Sequence, residues 1–190
     1  MATGDARVFD RFSPLYDRFK PPTDRAKLAP ALTLAEREVE RVLDLAGGTG
    51  QGVRALDVRE RLVADAAPGM VRRARDRGLD AVQADAAALP FDDASVDAVL
   101  VLDALHHLPD QAGALAEAAR VLRPGGVLVV LEYDPTTLPG KAIVAGERLI
   151  GFDSTFLAPG NLEAMVRAAG LGPAVVDVGF EYALAGVKPS

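Results

Sequence analysis

The stretch Val42-Leu43-Asp44-Leu45-Ala46-Gly47-Gly48-Thr49-Gly50 decides how this chain is interpreted. It runs from a short apolar segment through an acidic residue into a glycine-rich turn, a pattern with which α/β domains begin a site for a nucleotide-like molecule. Glycine suits such a turn because it adopts positive φ and lets the backbone approach a ligand closely. The sequence therefore predicts a strand over residues 41–45 and a ligand-binding turn directly after it.

Strand and helix patterns alternate along the chain after residue 40. Near-continuous apolar runs such as residues 96–102 indicate a parallel sheet covered by helices on both faces. The predicted strands are 41–45, 61–65, 80–83, 96–102, 126–132, 174–179 and 181–187, and the predicted helices are 50–56, 68–77, 110–122 and 160–169. Because so few residues separate the last two strands, they must form a hairpin, so one strand runs antiparallel to its neighbours.

Composition limits the function classes. A length of 190 residues fits one domain with a full core, and a net charge of −6 argues against a nucleic-acid-binding surface. The sequence has no apolar run long enough to span a membrane, and its first twenty residues are too polar for a secretory signal. The absence of cysteine excludes disulfides, thiolate metal sites and cysteine nucleophiles. We expect a cytoplasmic protein.

Two kinds of cofactor are compatible with the glycine turn on its residues alone. A phosphate-binding P-loop is excluded because Gln51, not lysine, follows Gly50. Residues 50–55 formally match the dinucleotide pattern G-x-G-x-x-A, although that match begins too late after the strand. Asp65 lies near the separation of about 20 residues at which a ribose-binding carboxylate is expected. A nicotinamide dinucleotide and another nucleoside cofactor both remain open.

Four segments resemble the motifs of class I S-adenosylmethionine-dependent methyltransferases, in the order that family shows. Residues 44–50 resemble its first motif, D-x-G-x-G-x-G, with Ala46 in place of the first glycine. The others are residues 63–70, 83–91 and 122–126. The resemblance covers about residues 40–190. It implies a Rossmann-like α/β fold, with a seven-stranded, mostly parallel sheet and one antiparallel strand, and methyl transfer from S-adenosylmethionine to a small-molecule acceptor.

The same resemblance assigns a set of cofactor-binding residues. Asp65 would accept hydrogen bonds from the ribose diol, Asp85 from the adenine amino group, and Ala66 and Met70 would contact the adenine ring. The full set is Asp44, Ala46, Gly47, Gly48, Asp65, Ala66, Met70, Asp85, Ala86 and Asp103. An alternative role for the two strand-end carboxylates, Asp44 and Asp65, is the capping of the helix that follows each strand.

The two histidines of the chain, His106 and His107, follow the fourth strand at its carboxyl end. That end of an α/β sheet faces the ligand crevice. A catalytic role for His106 as a general base fits an imidazole that titrates near neutrality. The Leu-His-His-Leu-Pro run of residues 105–109, however, resembles a segment of family members with diverse substrates, which favours a positioning role. Metal binding is disfavoured because two adjacent histidines without a third ligand make a poor site.

Four aromatic residues of the N-terminus, Phe9, Phe12, Tyr16 and Phe19, are spaced to share one helical face. This face fits a helix packed on the core or a lid over the cofactor. Residues 9–17 are similar to the opening of the ubiquinone and menaquinone biosynthesis C-methyltransferases. That similarity favours a helical lid over residues 1–38, with Tyr16 lining the methyl-transfer pocket as a catalytic residue, and a cofactor-binding domain over residues 39–190.

Several properties stay open at this level. A run of arginines over residues 72–77 fits a solvated helix face or, alternatively, peripheral contact with a membrane. The chain could be a monomer or a homodimer. Two other functions compete with methyl transfer: a nicotinamide-dependent oxidoreductase, and a regulatory protein that binds S-adenosylmethionine without catalysis. The segment between the fifth strand and the last helix is short for enclosing a long prenyl tail.

Overall fold

The structure is a computed structural model, and it describes residues 9–10 and 25–190. The strands are β1 (Arg41–Leu45), β2 (Glu60–Asp65), β3 (Asp80–Gln83), β4 (Val96–Leu102), β5 (Leu122–Tyr133), β6 (Gly172–Asp177) and β7 (Glu181–Val187). The α-helices within residues 25–190 are α1 (Arg25–Leu32), α2 (Gln51–Arg54), α3 (Pro68–Asp76), α4 (Gln111–Val121), α5 (Leu138–Ile150) and α6 (Pro159–Ala168). A 3-10 turn covers Leu105–His107.

The seven strands form one sheet in the order β3-β2-β1-β4-β5-β7-β6. β1 pairs in parallel with β2 on one side and with β4 on the other, so the direction of strand order reverses at β1. Ligands of open α/β sheets bind at such a reversal, outside the carboxyl ends of the strands. β7 runs antiparallel to both β5 and β6, which confirms the predicted single antiparallel strand.

The sheet buries apolar side chains on both faces, as a doubly covered parallel sheet must. All seven residues of β4 are buried. Alternate residues of the central strands face α4 and α6 on one side, where Leu115 and Leu162 complete the core. The other side faces α1, α2 and α3, where Leu28 and Ala74 do the same. The predicted cover of helices on both faces is confirmed.

Several predicted boundaries were wrong, among them those of β6, which covers Gly172–Asp177 instead of residues 174–179. β5 begins at Leu122, where it pairs with Val96, instead of at residue 126. Val127 pairs with Ala98, so five residues of β5 oppose two of β4, and the Pro-Gly-Gly segment is an irregularity inside the strand, with Gly125 at φ 74°. The sequence also has a helical pattern over residues 23–37, and within its described part, residues 25–37, only the span of α1 is helical.

The structure also contains a helix that the sequence did not predict. α5 fills most of the segment between β5 and α6 that looked like a short connection. Its N-cap residue, Thr137, accepts a hydrogen bond from the backbone N–H of Gly140 at 3.1 Å, and Gly151 ends it with φ 90°. Among the described residues, none of the helices combines the length and the apolar character that spanning a bilayer requires.

Candidate functional site

The turn after β1 has the backbone conformation that its glycines predict. Gly48 has φ 58° and Gly50 has φ 77°. A Cβ atom at Gly47 would collide with Asp44, and one at Gly50 would collide with Leu79. Ala46, which replaces the first glycine of the motif, also has a positive φ, 53°. The substitution therefore preserves the turn, but it places a Cβ where glycine is the unstrained residue.

Asp44 lies beneath this turn, with only 1% of its surface exposed. Its Oδ2 atom accepts a hydrogen bond from the backbone N–H of Val53, in the first turn of α2, at 3.0 Å. This is the capping role that the sequence left open for Asp44, and its contact with a cofactor stays a prediction. A Cβ at Gly52 would collide with Leu102, so Gly52 serves the packing of α2 on β4 and not the approach of a dinucleotide.

Asp65 connects the end of β2 with the glycine turn and with the start of α3. From the end of β2, its Oδ2 accepts a hydrogen bond from the N–H of Gly48, and its Oδ1 accepts one from the N–H of Ala67, both at 2.8 Å. Ala67 is the N-cap residue of α3. The carboxylate is thus held in a fixed orientation between the glycine turn and the start of α3.

The residues expected around an adenine ring lie at the neighbouring strand ends. Asp65 pairs with Gln83 in the β2–β3 register, which brings residues 84–86 beside Ala66. Ala66 and Ala86 are half-buried and Met70 is buried in the first turn of α3. Asp85 is exposed, and its Oδ1 accepts a hydrogen bond from the N–H of Ala87 at 3.0 Å. The structure brings this predicted set together at one edge.

Asp103 follows β4 in a left-handed conformation, with φ 51°. Its backbone N–H donates to the carbonyl oxygen of Leu131 on β5 at 2.9 Å. Aspartate tolerates this conformation better than most residues do. Ala46 and Asp103 thus place strained backbone at the ends of two adjacent strands, β1 and β4, which is where functional sites often store strain.

His106 is buried in a network with two carboxylates that sequence reasoning missed. Its Nδ1 lies 2.7 Å from Oε2 of Glu132, at the end of β5, and its Nε2 lies 3.4 Å from Oε1 of Glu147, on α5. Burial opposes the charged ring, but these two carboxylates outweigh it and raise the pKa of His106 to about 9. At neutral pH the ring therefore carries a proton on each nitrogen. The general-base role predicted for His106 would require the loss of one of them.

His107 lies in an aromatic cluster beside this network. Its ring is 4.8 Å from that of Phe9 and 4.9 Å from that of Phe152, measured between centroids. The ring of Phe156 stacks on His106 at 4.2 Å. The segment that carries Phe152 and Phe156 is attached to the 3-10 turn, because the N–H of Thr155 donates to the carbonyl oxygen of His106 at 2.8 Å.

The described N-terminal residues span both parts of the site. Oδ1 of Asp10 accepts a hydrogen bond from the N–H of Gly69, at the start of α3, at 2.6 Å. The neighbouring residue, Phe9, stacks on Phe152 at 5.3 Å and contacts His107 edge-on. The other aromatic residues of the predicted lid, Phe12, Tyr16 and Phe19, lie outside the described residues, so the catalytic role of Tyr16 stays a prediction.

Two arginines of the 72–77 run make hydrogen bonds to the protein's own backbone. Nε of Arg75 donates to the carbonyl oxygen of Ala81 at 2.9 Å, and Nη1 of Arg77 donates to that of Thr49 at 3.1 Å. Arg77 therefore supports the glycine turn. These contacts weaken the interpretation of the run as a membrane-binding face.

Of the site residues that were not predicted from the sequence, Glu132 could have been recognised from its sequence context. It is an acidic residue in the apolar run of β5, and a buried carboxylate needs a partner. Glu147 carried none, because its helix was not predicted. That helix corrects one expectation: His106 and His107 do have a third potential metal ligand, Glu147, with the three ligand atoms within 4.8 Å of one another.

Comparisons with known proteins agree with this geometry. Residues 43–130 match the family model of a methyltransferase domain. The demethylmenaquinone methyltransferase of Thermus thermophilus is 45% identical over 112 residues, which are 53% of this chain and 50% of that protein. The 27-O-demethylrifamycin SV methyltransferase of Amycolatopsis mediterranei is 35% identical over 174 residues, 84% of this chain and 62% of that one. The chain thus spans about half to three fifths of the length of these relatives.

A solved structure shows the same fold. The Thermotoga maritima protein described as a SAM-dependent methyltransferase, possible histamine N-methyltransferase, superposes with a TM-score of 0.79 at 22% sequence identity. The superposition covers 96% of this chain and 98% of that one. At this level of identity the likeness concerns the fold alone.

Proposed function

We propose that this chain transfers a methyl group from S-adenosylmethionine to a small-molecule acceptor, and the match of residues 43–130 to the family model of a methyltransferase domain supports this. The proposal rests on the position of Asp65, whose carboxylate links the glycine turn to the start of α3 at the carboxyl edge of the sheet. An acidic residue held there, beside apolar side chains, fits the ribose of a nucleoside cofactor.

The donor set fits S-adenosylmethionine in three ways. The Asp65 carboxylate suits a ribose diol, because each of its oxygens accepts hydrogen bonds. Ala66, Met70 and Ala86 offer apolar surface for the adenine ring, and Asp85 offers an acceptor for its amino group. The turn at Gly47 and Gly48 gives the amino-acid end of the cofactor close access to the backbone. When bound, S-adenosylmethionine supplies an activated methyl group, so these residues contribute binding, orientation and exclusion of water.

We place the acceptor beside the aromatic cluster of Phe9, Phe152 and Phe156. These rings surround the two histidines at the carboxyl ends of β4 and β5, one strand away from the glycine turn. An aromatic lining suits a planar, largely apolar molecule, through ring stacking. The names of the relatives, a demethylmenaquinone and a demethylrifamycin methyltransferase, support a quinone-type or related aromatic acceptor.

Calorimetry with S-adenosylhomocysteine, the product form of the cofactor, tests the first half of this proposal. We expect clear binding by the wild-type protein and a loss of about 1–3 kcal/mol in Asp65→Ala, from ribose hydroxyls left without their acceptor. The matched control is Asp57→Ala, at an exposed position in the connection before β2. Undiminished affinity in Asp65→Ala would remove that residue from the site.

Two further measurements separate the competing functions. Binding of NADH without any response to S-adenosylhomocysteine would indicate the nicotinamide-dependent oxidoreductase, which the packing role of Gly52 already disfavours. Binding of S-adenosylhomocysteine without turnover of methyl-labelled cofactor, over a panel of quinols, phenols and extracted metabolites, would indicate the regulatory protein. The cytoplasmic location stays a prediction that cell fractionation tests.

A further inference from the structure

We propose that His106, His107 and Glu147 form a binding site for one divalent transition-metal cation. The site lies where the 3-10 turn after β4 meets α5. This metal-site proposal is independent of the proposed methyl transfer. Only a role of the cation in binding the methyl acceptor would rest on that function.

The positions of the three ligand atoms suit a cation. Oε1 of Glu147 lies 3.4 Å from Nε2 of His106 and 4.0 Å from Nε2 of His107. Zinc bonds of about 2.0–2.2 Å put two neighbouring tetrahedral ligands roughly 3.4 Å apart. The three ligand atoms lie within 4.8 Å of one another, so the His107 ring must move closer to the other two ligands to complete a three-ligand site, which leaves a fourth position open.

The other nitrogen of each ring is already held in place. Nδ1 of His106 lies 2.7 Å from a carboxylate oxygen of Glu132, and Nδ1 of His107 lies 3.2 Å from the hydroxyl oxygen of Ser154. A histidine that ligates a metal usually has its second nitrogen bound to a carboxylate or another polar group, because this contact fixes the ring orientation. Both rings have this arrangement, and both direct Nε2 towards Glu147.

The burial and the charge of the three side chains favour a bound cation between them. Only 2% of the His106 side chain and 17% of the Glu147 side chain are exposed. Oε2 of Glu147 is buried and accepts no hydrogen bond from any residue that the structure describes. Two carboxylates, Glu132 and Glu147, thus lie around a single buried imidazole, and a divalent cation would balance both charges. A proton on His106 competes with the cation, and it would balance only one of the two carboxylate charges.

The ligand types narrow the choice of metal. Two imidazoles and one carboxylate suit zinc and the other divalent first-row transition metals. Magnesium and calcium prefer oxygen ligands throughout. The open fourth position is typical of catalytic zinc sites, where it takes a water molecule or a substrate oxygen.

The first test uses the wild-type protein alone. Because the chain has only two histidines, the signals of both imidazole rings can be resolved by NMR. Zinc added to chelator-treated protein should shift both signals with a stoichiometry of one, and cobalt in its place should produce visible d–d absorption bands. Imidazole signals that do not respond to zinc would overturn the proposal.

Matched variants then assign the ligands by zinc calorimetry. His107→Gln and Glu147→Gln should each weaken binding by about tenfold or more. Glu163→Gln, which removes a carboxylate from the i,i+4 ion pair with Arg167 on α6, should leave the affinity unchanged. Equal affinity in all four proteins would place the ion elsewhere and refute the site.

S-adenosylhomocysteine binding by the same samples separates this proposal from the proposed function. Loss of zinc binding with cofactor affinity retained supports the metal site and shows that the variants are folded. Zinc binding by a wild-type protein that ignores S-adenosylhomocysteine would contradict the methyltransferase proposal and leave the metal site intact.

Discussion

Asp65, at the end of β2, accepts a hydrogen bond from the backbone N–H of Gly48, with 2.8 Å between the two atoms. This hydrogen bond holds the glycine turn against the neighbouring strand independently of any ligand. Since the same carboxylate also accepts the N–H of Ala67, one side chain orders both the turn and the start of α3. Asp65 thus contributes to the local structure in addition to its proposed contact with the cofactor.

The first prediction follows from this double contact. Asp65→Ala leaves two backbone N–H groups without their acceptor, so its free energy of unfolding should fall by about 1–3 kcal/mol even without a ligand. Urea denaturation of the variant, with Asp57→Ala as the exposed control, measures the loss. A variant as stable as the wild type would show that the two hydrogen bonds contribute only to orientation.

Ala46→Gly should stabilise the protein. Ala46 has φ 53°, a conformation that costs a residue with a Cβ about 1–2 kcal/mol. The greater backbone entropy of glycine in the unfolded chain offsets about 0.5–1 kcal/mol of this gain. We expect a net increase of about 0.5–1 kcal/mol in the free energy of unfolding.

Two matched variants test this explanation. Ala94→Gly, at φ 49° and far from the turn in sequence, should also stabilise the protein, whereas Ala55→Gly, at φ −72°, should destabilise it. Destabilisation by Ala46→Gly as large as that by Ala55→Gly would mean that the alanine methyl group makes packing contacts that outweigh the backbone strain.

The strand pattern and the glycine turn could be predicted because their signals are local. Apolar runs and glycine spacing depend on a few neighbouring residues, and the predicted strands β1, β2, β3, β4 and β7 lie within one residue of those observed. α5 escaped prediction because Pro139, Gly140 and Gly146 interrupt its helical pattern. Without α5, the position of Glu147 beside the histidines could not be anticipated.

The role of Asp44 shows a second limit. Its position after an apolar strand fits both a cofactor contact and a helix cap, and residue type alone does not distinguish them. The choice depends on how the turn folds back over β1, which brings the N–H of Val53 within 3.0 Å of the carboxylate. That geometry is set by tertiary packing and not by the motif.

Stability should depend on the charge of Asp97 at low pH. This carboxylate is 2% exposed and lies 2.8 Å from Nε of Arg37 and 2.9 Å from Nη1 of Arg123. Burial favours the neutral acid, but Arg123 and the N–H groups of Arg41 and Glu40 outweigh it and lower the pKa of Asp97. A lowered pKa stabilises the folded state above the unfolded-state pKa of about 3.9, and this stabilisation is lost as pH falls through the folded value.

The measurement is urea denaturation between pH 7 and pH 2. Asp97→Asn should be less stable than the wild type at pH 7, by about 1–3 kcal/mol, and should approach it in stability towards pH 2. Asp92→Asn, at an exposed position in the loop before β4, should parallel the wild type throughout. A constant difference between Asp97→Asn and the wild type over the whole range would exclude the ionised carboxylate as the cause.

Gly47 and Gly146 should respond in opposite directions to the same added methyl group. A Cβ at Gly47 would collide with Asp44 beneath the turn, so Gly47→Ala should lower the free energy of unfolding by about 1–3 kcal/mol and weaken S-adenosylhomocysteine binding. A Cβ at Gly146, on exposed α5, meets no atom of the described residues within 4 Å. Gly146→Ala should therefore stabilise the protein by about 0.4–1 kcal/mol and leave that binding unchanged. Thermal denaturation and calorimetry on both variants check the pair, and normal cofactor affinity in Gly47→Ala would show that the turn can shift without losing its ligand.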